Sequence, residues 1–558
     1  KNNDPTKKDL EGQRKTKFDK NPKISILVPM YNTPKNFFVE LVDSLKAQTY
    51  GNWELCLGDG SPDKADFIDK IVASDKRIKY EKLDKNEGIS GNTNATLKYV
   101  TGDFVALLDH DDTLSPDCLY EIVKTINENP EVEFIYTDED KIDQESIYRY
   151  DYHFKSDFAP DLFRTNNYIC HFSVYKKELM DKLGGLRKEY DGSQDYDIIL
   201  RATELTKNII HIPKILYHWR VHRLSVAMFA EAKPYCYDAA KKALTDHIKR
   251  LGLKGTVTDG KCKGYYKITY DVIGNPKVSI IIPNKDSLED LKKCINSIKI
   301  STYKNYEIII IENNSESKEI FEYYKELENE ANIKVVYYKE KGFNYSKINN
   351  FGVKQATGDY YIFLNNDTEI VEKTWIEEML GFCQREDVGA VGGKLLYPDN
   401  TIQHAGVVLG LGAHHTAGHI NYRTDVNSLG YMARSLVVNN VSAVTAACMM
   451  VKKSIYDEVE GFDEEFMVSY NDVDFCLKIR KLGKLIVYNP YVLLYHYESK
   501  TRGQDTTKEK QERLQEEANK FINKWKDVLQ KGDPYFNPNF RLDQPFYAIN
   551  SNKIEYNK

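Results

Sequence analysis

The sequence predicts an α/β protein that contains one doubly wound domain twice, followed by a C-terminal helix and strap. The first observation is a repeat: KISILVPMYN, from Lys23, recurs as KVSIIIPNKD, from Lys277, and ATLKYVTGDFVALLDHDD recurs as FGVKQATGDYYIFLNNDT. The second is that short β-branched runs alternate with helical patterns, as they do in sheets built from βαβ units. The third is that acidic residues follow the strands, at the edge where such sheets bind ligands.

The repeat sets the expected domain boundaries. Asp111 lies 65 residues before Lys176, whereas Asp367 lies 85 residues before Lys452, so the second copy carries an insertion. A Gly-rich connector with a short hairpin separates the copies, with the boundary near Ile273. We expect an N-terminal extension, a first domain, a linker, a second domain and a C-terminal helix with its tail at residues 1–22, 23–250, 251–276, 277–503 and 504–558.

Each copy begins with a run that is short enough for a buried parallel strand, at residues 24–29 and 278–283. A helical pattern follows in the first copy, and the strands WELCLGD, RIKYEKL and DFVALLD come after it. Beyond the last of these, Ser115 is a predicted N-cap and Pro116 the first helical residue. The positions that recur at helical spacing are Phe37, Leu41, Ser44 and Leu45, then Leu119, Ile122, Val123 and Ile126.

One long helix is predicted over KEKQERLQEEANKFINKWKDVLQK, and the tail DPYFNPNFRLDQPFY is expected to be a docked irregular strap. We expect the apolar stripe of this helix to pack onto its own domain, with a helical dimer contact as the alternative. The stripe consists of Leu514, Ala518, Phe521, Trp525 and Val528.

Composition narrows the class of protein. The chain has 558 residues, of which 41% are hydrophobic and 29% charged, so it can bury a sizeable core. Its formal net charge of −6 argues against a dedicated nucleic-acid binder. The nine cysteines form no CxxC pair, which favours a reducing cytosol. The sequence shows neither a signal peptide nor a membrane-spanning apolar run, although it does not begin with Met.

The stretch VALLDHDDTLSP places Asp109, Asp111 and Asp112 at the end of an apolar strand. Their mutual repulsion destabilises the fold unless a positive charge lies among them, although an Asp-x-Asp at a strand end is also compatible with a turn or helix cap. Because carboxylates and imidazole suit Mn²⁺ or Mg²⁺, we predict a cation that carries a diphosphate. Each copy later supplies an acidic pair and a strand-end histidine, namely Asp195, Asp197 and His218, and Asp472, Asp474 and His496.

The ordered motifs resemble those of the family 2 glycosyltransferases, which have the GT-A fold, a Rossmann-like, doubly wound mixed sheet. The first copy contributes ISILVPMYN, GDGS, NEGISGNTN, LLDHDD, GSQDYD and LYHWR. The second contributes VSIIIPNKDS, FNYSKINN, FLNNDTEI, SAVTAACMMVKKS, YNDVDFCLKIRKLG and LLYHYESKTRG. The likeness covers residues 24–225 and 278–503 and is greatest to the branch that makes bacterial surface polysaccharides, such as O-antigen and rhamnan-type chains.

The resemblance implies a role for each candidate residue. Asp195 and Asp472 would be the general bases, which deprotonate the acceptor hydroxyl in an inverting displacement. The metal ligands would be Asp111, His218, Asp367 and His496, with Mn²⁺ or Mg²⁺ as the ion. The nucleotide-binding residues would be Pro29, Tyr31, Asp59, Asp109, Pro283, Glu312 and Asn365.

Two residues of the second copy depart from the family pattern. Asn365 occupies the place of Asp109, which leaves one carboxylate fewer for the metal. Asn471 precedes the implied base Asp472 at a position where many relatives carry Glu. We expect the second site to be active because its other acidic and imidazole positions are retained. The alternative is a noncatalytic second copy that serves as a carbohydrate-binding platform.

The inserted segment QHAGVVLGLGAHHTAGHI has two interpretations. Its histidines are a candidate zinc site. Its glycine spacing instead fits a mobile loop on the acceptor side, which is the interpretation that we favour. The histidines concerned are His404, His414, His415 and His419.

The sequence therefore predicts a tandem, metal-dependent glycosyltransferase that moves sugars from UDP- or dTDP-linked donors to a growing surface glycan or a lipid-linked glycan. We expect a cytoplasmic protein, at the inner face of the cell membrane, without a nucleic-acid partner. Peripheral membrane association and a homo-oligomer stay open. A nucleotidyltransferase would use similar chemistry, but it should carry a Gly- and Arg-rich loop after the first strand, where this chain has PMYNTPKNF.

Overall fold

The computed structural model describes residues 4–222, 234–412, 414–497 and 507–550, which fall into two compact units, the first and second domains. The first domain ends at Thr258, inside the stretch expected to be a linker. A short segment, residues 159–165, belongs to the second domain although it lies within the first copy of the repeat. The sequence pattern did not indicate that residues 159–165 belong to the second domain.

The first copy contains ten strands, of which β10 runs across the division between the domains, and nine helices, of which α6 lies in the segment that joins the second domain. The strands are β1 (Ile24–Met30), β2 (Trp53–Asp59), β3 (Ile78–Lys82), β4 (Phe104–Leu107), β5 (Thr113–Leu114), β6 (Phe134–Ile142), β7 (Arg149–His153), β8 (Ser173–Lys176), β9 (Ile209–Arg220) and β10 (Gly255–Asp259), counted over the described residues. The helices described there are α1 (Lys7–Lys15), α2 (Lys35–Lys46), α3 (Ile68–Val72), α4 (Gly88–Leu97), α5 (Cys118–Glu128), α6 (Pro160–Phe163), α7 (Lys177–Leu183), α8 (Gln194–Leu205) and α9 (Pro234–Arg250).

The second copy repeats this alternation and ends in two helices. Its strands are β11 (Tyr266–Tyr270), β12 (Val278–Asn284), β13 (Tyr306–Glu312), β14 (Ile333–Tyr337), β15 (Tyr360–Leu364), β16 (Thr368–Ile370), β17 (Val388–Leu396), β18 (Ile402–His404), β19 (Val407–Leu409), β20 (Ala417–His419), β21 (Asn439–Asn440), β22 (Cys448–Lys452) and β23 (Leu485–His496). Its helices are α10 (Leu288–Lys299), α11 (Lys318–Leu327), α12 (Tyr345–Val353), α13 (Trp375–Cys383), α14 (Lys453–Glu458), α15 (Asn471–Lys481), α16 (Lys508–Lys524) and α17 (Lys526–Lys531). None of the helices in the described part of the chain has both the length and the apolar character needed to cross a bilayer.

The two large sheets are mixed and share one strand order. The order is β3-β2-β1-β4-β8-β6-β9-β5 in the first domain and β14-β13-β12-β15-β22-β17-β23-β16 in the second. β1 pairs in parallel with β2 and β4, as β12 does with β13 and β15. The next strand, β8 or β22, runs antiparallel. The predicted α/β class and the internal repeat are therefore confirmed.

The strand ends bring the acidic residues to one edge of each sheet. β2 ends at Asp59 and β13 at Glu312, and each of these strands lies parallel to the first strand of its sheet. β4 ends two residues before Asp109, and β15 ends directly before Asn365. Because the carboxyl ends of neighbouring parallel strands share an edge, the loops that carry these residues meet there.

Three predicted elements differ from the structure. α5 begins at Cys118, because Ser115 and Leu114 still belong to the sheet: the Ser115 N–H donates to Leu216 at 3.0 Å, and Leu114 pairs with β9. The single C-terminal helix is two helices that part at Trp525, whose φ and ψ of −113° and 20° are not helical. The inserted segment, expected to be a loop, contains β18, β19 and β20.

Candidate active site

Three carboxylates of the first domain lie in the loop that follows β4. One oxygen atom from each of Asp109, Asp111 and Asp112 falls within 4.8 Å of the other two. Asp112 is fully buried and accepts hydrogen bonds from the Tyr217 hydroxyl and, at 2.7 Å, from the backbone N–H of Arg220. Burial raises the pKa of Asp112 well above its usual range, and the two neighbouring aspartates raise it further. Asp112 thus stabilises the loop through buried hydrogen bonds, whereas Asp109 and Asp111 are partly exposed.

Imidazole groups lie close to this acidic loop. Nε2 of His222 is 2.8 Å from Oδ2 of Asp111, and Nε2 of His171 is 3.7 Å from Oδ2 of Asp109. His218, the histidine chosen from the sequence, directs Nδ1 to Oδ1 of Asp140 at 2.6 Å. Sequence reasoning missed His222. The residue follows β9 by two positions, as Asp109 follows β4, but the sequence alone did not show where β9 ends.

The acidic pair of the first domain opens α8, and its two members have different surroundings. Asp197 is fully buried and forms ion pairs with Arg187 and, at 2.9 Å, with Arg201. Asp195 is only partly buried and accepts a hydrogen bond from Nδ2 of Asn167 at 2.8 Å. Asp195 is therefore the member of the pair that can exchange a proton with a bound molecule.

The acidic pair of the second domain is divided in the same way at the start of α15. Asp474 is fully buried, accepts a hydrogen bond from Nε1 of Trp525 at 2.8 Å and lies 2.7 Å from Nζ of Lys524. Asp472 is partly exposed and accepts from the backbone N–H of Ala446 at 3.3 Å. Sequence spacing predicted both pairs but not which member of each is accessible.

A cavity of about 880 Å³ in the second domain is lined by most of the site residues that the sequence predicts for this domain. Nε2 of His496 lies 3.1 Å from Oδ1 of Asp367 and 3.2 Å from Nδ2 of Asn365. Nδ1 of His496 lies 2.8 Å from Oε1 of Gln403, a contact that the sequence did not predict. The cavity wall contains Pro283, Asn365, Asp367, Asp472 and His496.

The strand-end acids Asp59 and Glu312 are buried, with 1% and 3% of their surfaces exposed. Asp59 accepts hydrogen bonds from the Ser61 N–H at 2.9 Å and from the Tyr80 hydroxyl at 2.7 Å. Glu312 accepts from the Tyr324 hydroxyl at 2.7 Å. Because a carboxylate offers about four lone-pair positions, each acid keeps capacity for a further donor. Pro29 is half-buried beside this edge, and Tyr31 is 46% exposed.

The sequence model of glycosyl transferase family 2 matches residues 25–184 and 279–459, which is more than half of the chain. The chain belongs to glycosyl transferase family 2. The two matched regions contain the first strands of the two sheets and their acidic loops, so the duplication that the sequence predicts is a duplication of the family 2 domain.

Two curated relatives of this family 2 glycosyltransferase align with almost all of the chain. The uncharacterised protein y4gI of Sinorhizobium fredii is 39% identical over 538 residues, which cover 95% of this chain and 59% of that protein. The O-antigen biosynthesis protein RfbC of Myxococcus xanthus is 34% identical over 531 residues, which cover 94% and 41%. The chain thus spans about half the length of the curated relatives that it matches.

Among solved structures, that of S. aureus TarS 1-349 in complex with UDP is similar to part of this family 2 chain. The two proteins are 20% identical with a TM-score of 0.32, and the match covers 41% of this chain and 71% of the TarS chain.

The insertion in the second family 2 domain contains a pair of histidines in contact. His404 is fully buried, and its Nδ1 lies 2.8 Å from Nδ1 of His419. Burial lowers the pKa of His404 well below its usual range, and the His419 and His496 imidazoles lower it further, so the ring is neutral. Its Nε2 accepts from the Thr445 N–H at 3.4 Å, so its Nδ1 is the atom that donates to His419.

The zinc interpretation of the insertion is not supported by the described residues. Within them, the group of three or more His, Cys, Asp or Glu side chains that is compact enough for one ion consists of Asp109, Asp111 and Asp112. The insertion instead contributes wall residues to the second-domain cavity, among them Gln403, Leu411, Gly418 and His419.

Proposed function

We propose that this chain is an inverting, metal-dependent glycosyltransferase with one active site in each domain. The observation that carries the proposal is the second-domain cavity, where an acidic loop, a helix-start aspartate and a strand-end histidine from distant parts of the sequence line one space. The first domain has the same strand order, and there burial raises the pKa of Asp109, with the charges of Asp111 and Asp195 adding to the increase. This supports equivalent sites in the two domains.

We assign the general base to Asp195 in the first domain and to Asp472 in the second. Each carboxylate is partly exposed at the first turn of its helix, while the acid two residues later is buried. The carboxylate takes the proton of an acceptor hydroxyl as that oxygen bonds to the anomeric carbon. The bond to the diphosphate breaks on the opposite face of the sugar, so the configuration is inverted.

The side chains of both sites fit Mn²⁺ or Mg²⁺. In the first domain we assign Asp111 and His222 as ligands, with Asp109 beside them, because Nε2 of His222 lies 2.8 Å from Oδ2 of Asp111. The sequence assigned this role to His218, whose Nδ1 lies 2.6 Å from Oδ1 of Asp140. Oxygen atoms held within 4.8 Å of one another repel unless a cation lies between them, and carboxylates with an imidazole suit these ions. When bound, such a cation neutralises charge on the departing diphosphate.

In the second domain the ligands we propose are Asp367 and His496. The distance of 3.1 Å between Nε2 of His496 and Oδ1 of Asp367 supports binding of one ion by both side chains. Asn365 offers an amide oxygen where the first domain has a carboxylate, so we expect this site to bind the ion more weakly.

We propose UDP- or dTDP-linked sugars as donors. We assign Asp59 and Glu312 as acceptors of a hydrogen bond from the base. This assignment is supported by their position, since both end the strand beside the first strand of their sheet, and by their remaining acceptor capacity. The remaining nucleotide-binding residues proposed are Pro29, Tyr31, Asp109, Pro283 and Asn365.

A bacterial surface glycan, or its lipid-linked precursor, is the acceptor that we propose. The name of the RfbC relative supports this class of product. So does the wall of the second cavity, where the Tyr397 and Tyr422 hydroxyls lie 3.0 Å apart in the same space as Asp472. Tyrosine rings with a hydroxyl offer both an apolar face and a hydrogen bond, which suits a sugar ring.

The test uses the full chain with single substitutions of each base, Asp195→Asn and Asp472→Asn. Each should abolish one transfer, reducing its rate by about 100-fold or more, while the affinity for UDP with Mn²⁺ stays unchanged. Products from a panel of nucleotide-sugars are identified by mass spectrometry, and affinities are measured by calorimetry. A product profile that neither substitution alters would contradict the proposal. If only Asp195→Asn alters it, the second domain is a noncatalytic carbohydrate-binding copy.

A further inference from the structure

We infer that Glu517, on α16, is a positioning residue that holds the general base of the second domain in place. The inference rests on the proposed role of Asp472. Glu517 lies beyond the region that matches the family description, which ends at residue 459. It acts through the loop of residues 467–470, which leads directly into Asn471 and Asp472.

The carboxylate of Glu517 binds three consecutive backbone N–H groups. Oε1 accepts from Met467 at 2.7 Å and from Val468 at 3.0 Å, and Oε2 accepts from Ser469 at 3.0 Å. Glu517 is 4% exposed, so these charge-assisted hydrogen bonds lie away from bulk water, where they are strongest. One side chain thus fixes the course of the backbone immediately before the base.

The next residue of the loop, Tyr470, is held in an unusual conformation. Its φ of +63° is in the left-handed region, which is strained for a residue with a side chain. Its ring stacks on Phe521, one turn of α16 after Glu517, with centroids 5.1 Å apart. Tyr470 is the residue before α15 begins. Its backbone conformation therefore sets the direction of the first turn of α15, which carries Asp472.

The same helix also holds the chain on the other side of Asp472. Trp525, at the end of α16, donates Nε1–H to Asp474 at 2.8 Å, and Nζ of Lys524 lies 2.7 Å from the same carboxylate. Glu517 therefore holds the backbone before the base, and Trp525 holds the side chain of the residue two positions after it. The cavity is lined by Val468, Ser469, Tyr470 and Asp472. A shift of the loop that Glu517 binds would therefore move the base together with this part of the cavity wall.

The first domain makes the matching contact differently. There α9 packs beside the loop before Asp195, and the backbone carbonyl of Cys236 accepts a hydrogen bond from Oγ of Ser193 at 2.8 Å. A change at Glu517 should therefore affect the second transfer and leave the first unaltered, which provides an internal control in the same chain.

The experiment compares Glu517→Gln with Glu516→Gln in the full chain. Both substitutions remove one negative charge from α16, but Glu516 is exposed and Glu517 is not. Glu517→Gln should lower kcat of the second transfer by about 10- to 100-fold, because an error of about 1 Å in a catalytic group has effects of this size. KM for the donor and the affinity for UDP with Mn²⁺ should stay within about threefold, because the ligands are on other elements. Glu516→Gln should change neither, and Glu517→Asp, which keeps the charge, should recover part of kcat.

Two further measurements separate positioning from stability. A purely structural role predicts that kcat falls only together with the melting temperature, whereas positioning predicts reduced kcat in protein shown to be folded by circular dichroism. In an Asp472→Asn background, Glu517→Gln should cause no further loss of rate, because the group that it positions is gone. Unchanged kcat in Glu517→Gln, or equal additional losses in both backgrounds, overturns the inference. If Asp472→Asn itself retains the second transfer, it is the proposed function that fails.

Discussion

Nε2 of His222 lies 2.8 Å from Oδ2 of Asp111, and the Phe37 ring packs against the same imidazole with its centroid 5.0 Å away. Phe37 belongs to the buried face of α2, so the His222 ring is held against the acidic loop by packing as well as by a hydrogen bond. His218 makes its contact with Asp140, its partner on the neighbouring strand β6. The two histidines should therefore differ in their effect on cation binding.

We expect His222→Ala to weaken Mn²⁺-dependent binding of UDP in the first domain by about 10- to 100-fold, because a nitrogen ligand or its close support is lost. Calorimetry with and without Mn²⁺ measures this, in a chain that also carries Asp367→Ala so that the second site is silent. His218→Gln is the matched control and should have the smaller effect. A larger loss from His218→Gln would return the ligand role to that histidine.

The sequence predicted the repeat, the strand-end acids and the two acidic pairs because each depends on local pattern: β-branched strands, polar loops and helix starts. It did not predict His222, because the length of β9 is set by pairing with β5 and β6 and not by the residues of β9 alone. Nor did it show which acid of each pair is buried, since that depends on Arg187, Arg201 and Trp525, which are brought in by tertiary packing.

Asp161 and Arg385 form an ion pair inside the second domain, with side chains that are 1% and 3% exposed. Among the described residues, Asp161→Ala leaves the buried guanidinium with Asp387 as its remaining carboxylate, and we expect the substitution to lower the free energy of unfolding of this domain by about 3–5 kcal/mol. Urea unfolding of the full chain measures the loss. Asp387→Ala removes a carboxylate from the same arginine, but that carboxylate is 49% exposed and should cost about 0–1 kcal/mol. Equal losses would show that burial does not decide the strength of these contacts.

Glu54 gives a prediction about acid stability. Burial by itself would raise the pKa of Glu54, but hydrogen bonds from Lys79, Ser25 and Thr101 outweigh it and lower the pKa to about 2. A carboxyl whose pKa is lower in the folded state stabilises the fold above its usual value of 4.5, and this contribution is lost as the pH falls from about 4.5 towards 2. Glu54→Gln should therefore cost about 1.5–3 kcal/mol at pH 7, with a difference from the parent chain that narrows through this window.

Thermal unfolding of the two chains between pH 2 and 7 tests this, and the second domain offers a matched site. Glu307 accepts from the Ser279 hydroxyl at 2.6 Å and from the Thr357 N–H at 2.7 Å, as Glu54 does from Ser25 and Thr101, and its pKa is also lowered. Glu307→Gln should give the same direction of change. A gap between variant and parent that stays constant down to pH 2 would mean that the charge of Glu54 contributes nothing.

The first domain has Asp109 where the second domain has Asn365. This difference predicts that the two reciprocal substitutions change cation affinity in opposite directions. Nδ2 of Asn365 lies 3.2 Å from Nε2 of His496, so the amide donates to the lone pair that a cation would need, while Nδ1–H of His496 donates to Gln403 at 2.8 Å. Asn365→Asp removes that donor and adds a carboxylate beside Asp367. We expect it to tighten Mn²⁺ binding in the second domain several-fold, and Asp109→Asn to weaken it in the first by a similar factor.

Mn²⁺ titration followed by electron paramagnetic resonance measures both, with the other site silenced by Asp111→Ala or Asp367→Ala. If Asn365→Asp weakened binding instead, the amide oxygen of Asn365 would be a ligand in its own right and the second site would be adapted to it.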